Sequence, residues 1–295
     1  MRVFVTGATG FVGSAIVSDL IHAGHQVLGL ARSNASAESL ISVGASVHRG
    51  DMEDLDSLRA GANLSDGVIH AAFNHDFSKF AESCELDRRA IEVMGDALAG
   101  SDRPFIVTSG LPIIQGRPVT EEDVLPLVSN SRRVSEQTAF SLVERGVRAS
   151  VVRISQVHDQ DKQGLASYMI AVARERGVSA YIGNGLNCWS AVHRLDTAPL
   201  YRLALEEGVT GARYHGVSEE GVSIRKIAEA IGRGLSIPVV ALSSEEAISH
   251  FGWLVHPVSM DATASSILTR RRLGWYPTEK LGFIADLESS NAFVD

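Results

Sequence analysis

Gly7, Gly10 and Gly13 fall at intervals of three between a short apolar run, Met1 to Val5, and a stretch from Ser14 to Ile21 whose apolar residues keep helical spacing until Gly24. Strand, glycine turn and helix in direct succession leave few folds open. A glycine at 7 permits a tight turn, one at 10 lets the backbone approach a ligand, and one at 13 lets the helix pack near the strand. The N–H groups of the turn and first helical residues, Thr9, Gly10, Phe11, Val12 and Gly13, then face an anion such as a pyrophosphate. The spacing is G-x-x-G-x-x-G rather than the G-x-G-x-x-G of the standard dinucleotide fingerprint, and three glycines alone are weak evidence. With the strand before and the helix after, the reading is a nucleotide site; a merely structural turn is the alternative.

The remaining chain is read against that start. Gln26 to Ala31 is a second strand ending at Arg32-Ser33. An acid there would bind a ribose 2′-hydroxyl, whereas an arginine accommodates a 2′-phosphate, so Arg32 and Ser33 favour NADP over NAD. A third strand, Ser46 to Gly50, leads to Asp51-Met52, where the acid either accepts from an adenine amino group or caps the helix holding Leu55 and Leu58. The fourth strand, Gly67 to Phe73, ends in Ala71, Ala72 and Phe73, small enough at its tip to lie against a nucleotide. The loop Asn74-His75-Asp76-Phe77 follows at the sheet's carboxyl edge, where open α/β sheets place ligands. A helix over 80–99 and a fifth strand over 104–110, ending in the hydroxyls of Thr108 and Ser109, come next. A proline- and acid-rich loop then separates that strand from a helix starting near Ser129 or Arg132 and ending at Arg145-Gly146. The sixth strand is Ser150 to Ile154. Alternation of this kind predicts an α/β fold with a doubly wound parallel sheet.

Beyond residue 155 the rhythm breaks. A helix over 165–176, short strands at 180–183 and 189–193, a helix capped by Asp196 and running to Glu206, a strand at 214–217 and a helix opened by Ser223 suggest a smaller, irregular lobe that covers a substrate. The division read from this is a nucleotide-binding domain over 1–155, with segments around 184–200 returning to it, and a mainly substrate-binding lobe over 156–295.

Composition removes several alternatives. A net charge of −8 with no basic run argues against a nucleic-acid surface. Cys84 and Cys188 are too few and too isolated for a disulfide framework or a zinc site, so no metal is expected. The first strand starts at residue 2 and no apolar run reaches spanning length, which reads as a cytoplasmic, reducing address with no membrane partner.

Taken together, the elements resemble the extended short-chain dehydrogenase/reductase superfamily, the group of nucleotide-sugar epimerases and dihydroflavonol-type reductases. The resemblance rests on Gly7-x-x-Gly10-x-x-Gly13, the Val68 to Ala72 strand, Thr108-Ser109, Val192-His193-Arg194-Leu195-Asp196-Thr197-Ala198, and Leu273-Gly274-Trp275-x-Pro277-Thr278. It implies a Rossmann-type sheet, a nicotinamide cofactor and hydride transfer on a small molecule. It also implies a homodimer through the helices after the fourth and fifth strands, with Cys84, Ile91 and Met94 serving either that pairing or the internal face.

The chain departs from the superfamily's chemistry. The usual Tyr-x-x-x-Lys pair protonates substrate and grips the nicotinamide ribose, with a Ser or Thr orienting the substrate. Aligning Ser135-Glu136 with the usual small residue and Glu puts Val128 at the tyrosine position and Arg132 at the lysine position. Residues 101–150 contain no tyrosine and no lysine. Tyr276-Pro277-Thr278-Glu279-Lys280 matches in text only, since proline disfavours helix at Tyr276. The chain thus looks like an atypical member. Asp87 occupies the place of the superfamily's asparagine, either anchoring Arg132 or standing as an exposed helix acid.

The expected catalytic set is therefore Thr108, Ser109, Arg132, Asp87 and His75, with Thr108 and Arg132 also touching cofactor. Asp76, His158, Asp159, Tyr168 and bound water are further candidate proton donors, and Trp189 and Tyr168 candidate pocket walls. Three functions stay open. The chain reads as an NADP-dependent oxidoreductase acting on a carbonyl or related unsaturated group, as an epimerase or dehydratase that recycles its cofactor, or as a non-catalytic nucleotide-responsive protein.

Overall fold

The computed structural model describes residues 1–76, 79–124 and 132–293. Phe77, Val128 and Ser129, all named above, lie outside the described residues. Strand and helix alternate through β1 (Arg2–Thr6), α1 (Phe11–His22), β2 (Gln26–Ala31), α2 (Asn34–Ser42), β3 (Ser46–Arg49), α3 (Leu55–Asn63), β4 (Gly67–His70), α4 (Phe80–Leu98), β5 (Phe105–Gly110), α5 (Val134–Val143) and β6 (Ala149–Ile154). The second part carries β7 (Gln156–His158), α6 (Ala166–Arg176), β8 (Ser179–Ile182), β9 (Cys188–His193), α7 (Arg194–Glu207), β10 (Arg213–Gly216), β11 (Glu219–Ser223), α8 (Ile224–Leu235) and β12 (Val239–Leu242). It closes with α9 (Ser244–Phe251), α10 (Val255–Ser259), α11 (Ile267–Leu273) and α12 (Phe283–Glu288).

Seven strands form one sheet in the order β10-β6-β5-β4-β1-β2-β3, every neighbouring pair parallel. The fold is therefore α/β and Rossmann-like. Both faces of β1 are covered, so its side chains alternate between two cores. Val3 and Val5 pack with Leu20 and Leu40 on one side, Phe4 with Leu58 and Met94 on the other. Strand order reverses between β1 and β4, which opens a crevice at the carboxyl ends of those two strands.

The second part divides its elements. β10 completes the large sheet and α7 packs on α1, whereas β7, β9 and β11 form a three-stranded sheet and β8 pairs with β12. A separate apolar core built on Trp189, Ile227, Ile231, Phe251 and Phe283 holds this lobe together. Trp189 is thus core, its Nε1 donating to the Pro257 carbonyl, rather than the wall of a substrate pocket. Tyr168 is partly exposed and meets Trp253 edge-on.

Several local expectations need correcting. Asp54, not Asp51, caps α3, accepting from the Ser57 amide, while Asp51 closes a short turn by accepting from the Glu53 amide. His193, not Asp196, caps α7. Asp196 sits buried in the helix's first turn and takes up the tail: its carboxylate accepts from the Thr278 and Glu279 amides, and Trp275 Nε1 donates to its carbonyl. Residues 275–282 carry no helix, so Tyr276 and Lys280 share no helix face. Cys84, Ile91 and Met94 all face the chain's own core, and α4 presents Glu82, Glu85, Arg89 and Asp96 outward.

Candidate active site

The glycine turn is built by contact between backbones. A Cβ on Gly13 would stand 2.0 Å from the Gly7 carbonyl oxygen, and one on Gly7, whose φ is +67°, would stand 2.7 Å from the Ala72 amide nitrogen. The exits of β1 and β4 therefore touch. Thr6 joins them again, its hydroxyl accepting from the Ala72 amide at 3.3 Å. Five other helices start with a side-chain cap, from Ser33, Asp54, His193, Ser223 and Ser243, but α1 has none. Its cap is Gly10, exposed beside Thr9, and the Phe11, Val12 and Gly13 amides have no acceptor among the described residues. Donors left open at a helix start, with no Cβ in front of them, fit a dinucleotide's diphosphate.

At the tip of β2, Arg32 is exposed and makes no side-chain hydrogen bond among the described residues. Ser33 caps α2. Arg49, one strand over, braces the turn by donating to the Ser33 carbonyl and the Asn34 side chain, both at 2.8 Å. Asp51 is half-buried near the end of β3, and Met52 leans on the core beneath it.

The other half of the crevice is made by side chains. His70, the last residue of β4, is fully buried between Thr6 Oγ1 (2.7 Å to Nδ1) and Asp87 Oδ1 (3.0 Å to Nε2). Asp87, an ionised carboxylate that can only accept, takes the hydrogen of His70 Nε2, and the Thr6 hydroxyl, which also accepts from the Ala72 amide, shares the hydrogen bond to Nδ1. The other Asp87 oxygen receives Arg132 at 2.8 Å and Ser135 Oγ at 2.5 Å, and Arg132 and Ser135 also touch each other. Burial pushes the Asp87 carboxyl up, but the Arg132 charge with the His70 and Ser135 hydrogen bonds outweighs it and holds the group below the ordinary carboxylate range. Asp87 is 1% exposed. The exposed-acid alternative falls.

Arg132 continues this line to the surface. Its guanidinium lies 4.0 Å from the centroid of the Phe73 ring, which His75 meets edge-on at 5.4 Å. The surrounding protein, then the Arg132 and Lys162 charges, hold His75 below the usual imidazole range. Arg132, Phe73 and His75 thus form one cluster at the exit of β4, with Ala71 and Ala72 beside it.

Thr108 and Ser109 do not join it. Thr108 Oγ1 is bonded to the buried Tyr201 hydroxyl of α7 at 2.7 Å, and Ser109 Oγ donates to the Arg132 carbonyl at 3.3 Å. Both side chains are buried, so neither hydroxyl stands free to meet an oxyanion. His158 is also withdrawn. It is fully buried between Asp286, 2.7 Å from its Nδ1, and the rings of His193 and Phe283. Asp159 is committed to Arg194.

Thr6, His70, Ser135, Glu136 and Tyr201 carried no assigned site role from sequence. Glu136 pairs bidentately with the buried Arg153 and also with Arg213, which pins the start of α5 to β6 and β10 and thereby fixes where Ser135 and Arg132 stand. A histidine inside the apolar run Val68 to Phe73 was the available signal for a buried polar wire. A surface cavity of about 490 Å³ is lined by Glu121, Arg213 and Arg272 and by none of the crevice residues. We place the site at the sheet's switch point because backbone donors converge there.

Comparison with known proteins bears on the family. The model of the NAD dependent epimerase/dehydratase family matches residues 3–89, which span the glycine turn, β4 and Asp87. An uncharacterized protein of Schizosaccharomyces pombe is 48% identical over 99% of this chain and 100% of its own length. The sterol-4-alpha-carboxylate 3-dehydrogenase (decarboxylating) of Dictyostelium discoideum is 25% identical over 76% of this chain and 74% of its own. The UDP-glucose 4-epimerase of Thermus thermophilus, solved in complex with NAD, superposes with a TM-score of 0.76 at 18% identity, covering 99% of both chains. The glycine turn, the switch-point crevice and these likenesses agree: the chain belongs to the NAD dependent epimerase/dehydratase family, within the extended short-chain dehydrogenase/reductase superfamily.

Proposed function

We propose that this chain is an NADP-dependent oxidoreductase that passes hydride to a carbonyl or related unsaturated group of a small organic substrate, in the cytoplasm. The observation that carries the reading is the pairing of an uncapped α1 N-terminus with an exposed, uncommitted Arg32 at the tip of β2. The first suits a diphosphate and the second a 2′-phosphate. When bound, a reduced nicotinamide supplies the hydride. The chain's own residues supply position and charge. The Phe11, Val12 and Gly13 amides hold the diphosphate, and Ala71 and Ala72 leave room at the β4 exit. Arg132, held by Asp87, faces negative charge developing on the substrate oxygen. Arg132 is too basic to give up its proton, so His75, which burial and the Arg132 charge keep neutral, is the residue we assign on that rim to relay a proton from water.

Titration of the purified chain with NADPH and NADH, read by nicotinamide fluorescence, tests the cofactor assignment. Tight NADPH binding that Arg32→Asp abolishes, with weak NADH binding in both, is the expected result. Equal binding of the two cofactors removes NADP from the reading. No turnover of NADPH across a broad carbonyl and imine panel removes the reductase.

One observation favours a second reading, a nucleotide-responsive protein without chemistry. The Thr108 and Ser109 hydroxyls are engaged inside the protein, and residues 101–150 have neither tyrosine nor lysine. Tight NADPH binding without turnover would select it. The side chains invoked for a homodimer are core, so the reading carries no assembly state.

A further inference from the structure

We propose that Lys162 is a cofactor-holding residue, its ammonium closing on the diphosphate of a nicotinamide dinucleotide seated at the start of α1. The inference rests on the cofactor reading above and names a residue that neither the glycine motif nor the superfamily's usual dyad includes.

Lys162 ends a tight turn that follows β7. The Asp159 amide donates to the Lys162 carbonyl at 2.9 Å, and Asp159 Oδ1 accepts from the amides of Asp161 at 2.8 Å and Lys162 at 3.0 Å. The other oxygen of Asp159 binds Arg194 at 3.2 Å. Arg194 in turn donates to the Phe11 carbonyl at 2.6 Å and to Ser14 Oγ at 2.7 Å, both in the first turn of α1. On its far side the turn is tied to the C-terminal segment. Asn291 donates from its side chain to Asp161 and from its amide to the Gln160 carbonyl, and Gln163 donates to Ser290 Oγ. The turn is thus moored against the very helix start whose amides are open.

That mooring uses every charged side chain of the turn except one. Asp159 is paired with Arg194 and Asp161 with Asn291, but Lys162 is exposed and has no ion pair or side-chain hydrogen bond among the described residues. Its Nζ lies 5.7 Å from the centroid of the Phe11 ring. Phe11 is the first of the three residues whose amides are open, so the ammonium lies beside the side chain that begins α1. An exposed cation above a ring is worth only about 0.5–1 kcal/mol, too little to explain six hydrogen-bonded ties. A diphosphate reaching the open amides would find Lys162 nearby as an uncommitted point charge.

The experiment compares the full chain with its Lys162→Ala and Lys162→Arg variants in calorimetric titrations with NADPH, NADH and ADP-ribose. Lys162→Ala is expected to weaken all three by the same factor, about tenfold. Lys162→Arg should recover most of the loss, and the apo melting temperature should not move. Arg32→Ala, run alongside, should weaken NADPH alone. Wild type and Lys162→Ala binding all three equally would overturn the inference while leaving the cofactor reading standing. A loss for NADPH and NADH but not for ADP-ribose would put the ammonium at the nicotinamide and overturn the diphosphate assignment. No binding by the wild type would overturn both.

Discussion

The two halves of the crevice are made of different materials. The β1–α1 half is backbone: three glycines, a helix start without a cap, and a turn pressed against the exit of β4. The β4–α4–α5 half is side chain. Thr6, His70, Asp87, Ser135 and Arg132 form one buried line, and Glu136, Arg153, Arg213 and His215 lie close behind it. Backbone donors impose only a shape requirement, that nothing larger than hydrogen stand in front of them. A buried charge line has to be completed by every member, because each unpaired group costs more than the pair gains. One half therefore tolerates change everywhere except at its glycines, whereas the other tolerates little at any of its members.

The largest effect is expected from Gly13→Ala. Its methyl has no room beside the Gly7 carbonyl, so the turn must move, and the cost is about 3 kcal/mol with loss of cofactor binding. Gly24→Ala provides the control. Gly24 has a left-handed φ, +86°, but meets no atom within 4 Å, so the penalty is only about 1 kcal/mol of backbone strain. Melting curves with and without NADPH distinguish them, and equal losses would mean that crowding is not what Gly13 relieves. Asp87→Ala comes next, at about 3 kcal/mol, because it leaves the Arg132 guanidinium and the buried His70 N–H without an acceptor. Asp87→Asn should cost less in stability yet still release Arg132, since one amide oxygen cannot serve both donors. Chemical denaturation checks the order.

How far the sequence reached differs between the halves for the same reason. The glycine turn was legible because its requirement is written in three residues with no side chain. Six strands of the large sheet and their parallel character followed from the alternation; β10 was read as a strand, but its four residues gave no sign of which sheet they join. Asp87 was legible in principle. Cys84, Ile91, Met94 and Leu98 mark the buried stripe of α4, and Asp87 falls three residues after the first and four before the second, so an exposed role was the less consistent choice. What no spacing rule could supply was the partner set. Tyr201 reaches Thr108 across 93 residues and Asp286 reaches His158 across 128, contacts that only the closed fold brings together. Thr108 and Ser109 were placed at the right strand end, but the reading could not know that their hydroxyls were already engaged.

Acid should separate the halves next. Asp87 and Glu136 have folded-state pKa values below their ordinary 3.8 and 4.5, so the stability they contribute is full above those values and is lost as pH falls through the folded ones. Burial lowers His215 to about 4 from 6.5, and His158 likewise. The unfolded chain therefore binds the extra protons first, and stability from these histidines, complete above 6.5, declines between 6.5 and 4. Melting temperature should fall gently from pH 6.5 and steeply below 4.5. His215→Gln should flatten the gentle part. A profile level down to pH 4 would mean these histidines are not held neutral by burial.

The smallest effect is the most informative about chemistry. Tyr201→Phe removes the partner of Thr108 Oγ1 and leaves a buried hydroxyl unpaired, at a cost of about 1–2 kcal/mol, while Thr108→Val strands the tyrosine hydroxyl at similar cost. Removing both polar groups leaves nothing unsatisfied, so the double variant should recover most of either loss. If Thr108 serves only the packing of α7 on β5, the double variant also keeps the turnover of the wild type, and the side-chain half of the crevice begins at Arg132. If turnover falls in the double variant although stability has returned, the hydroxyl leaves Tyr201 when substrate arrives, and Thr108 regains the orienting role its place on β5 implies.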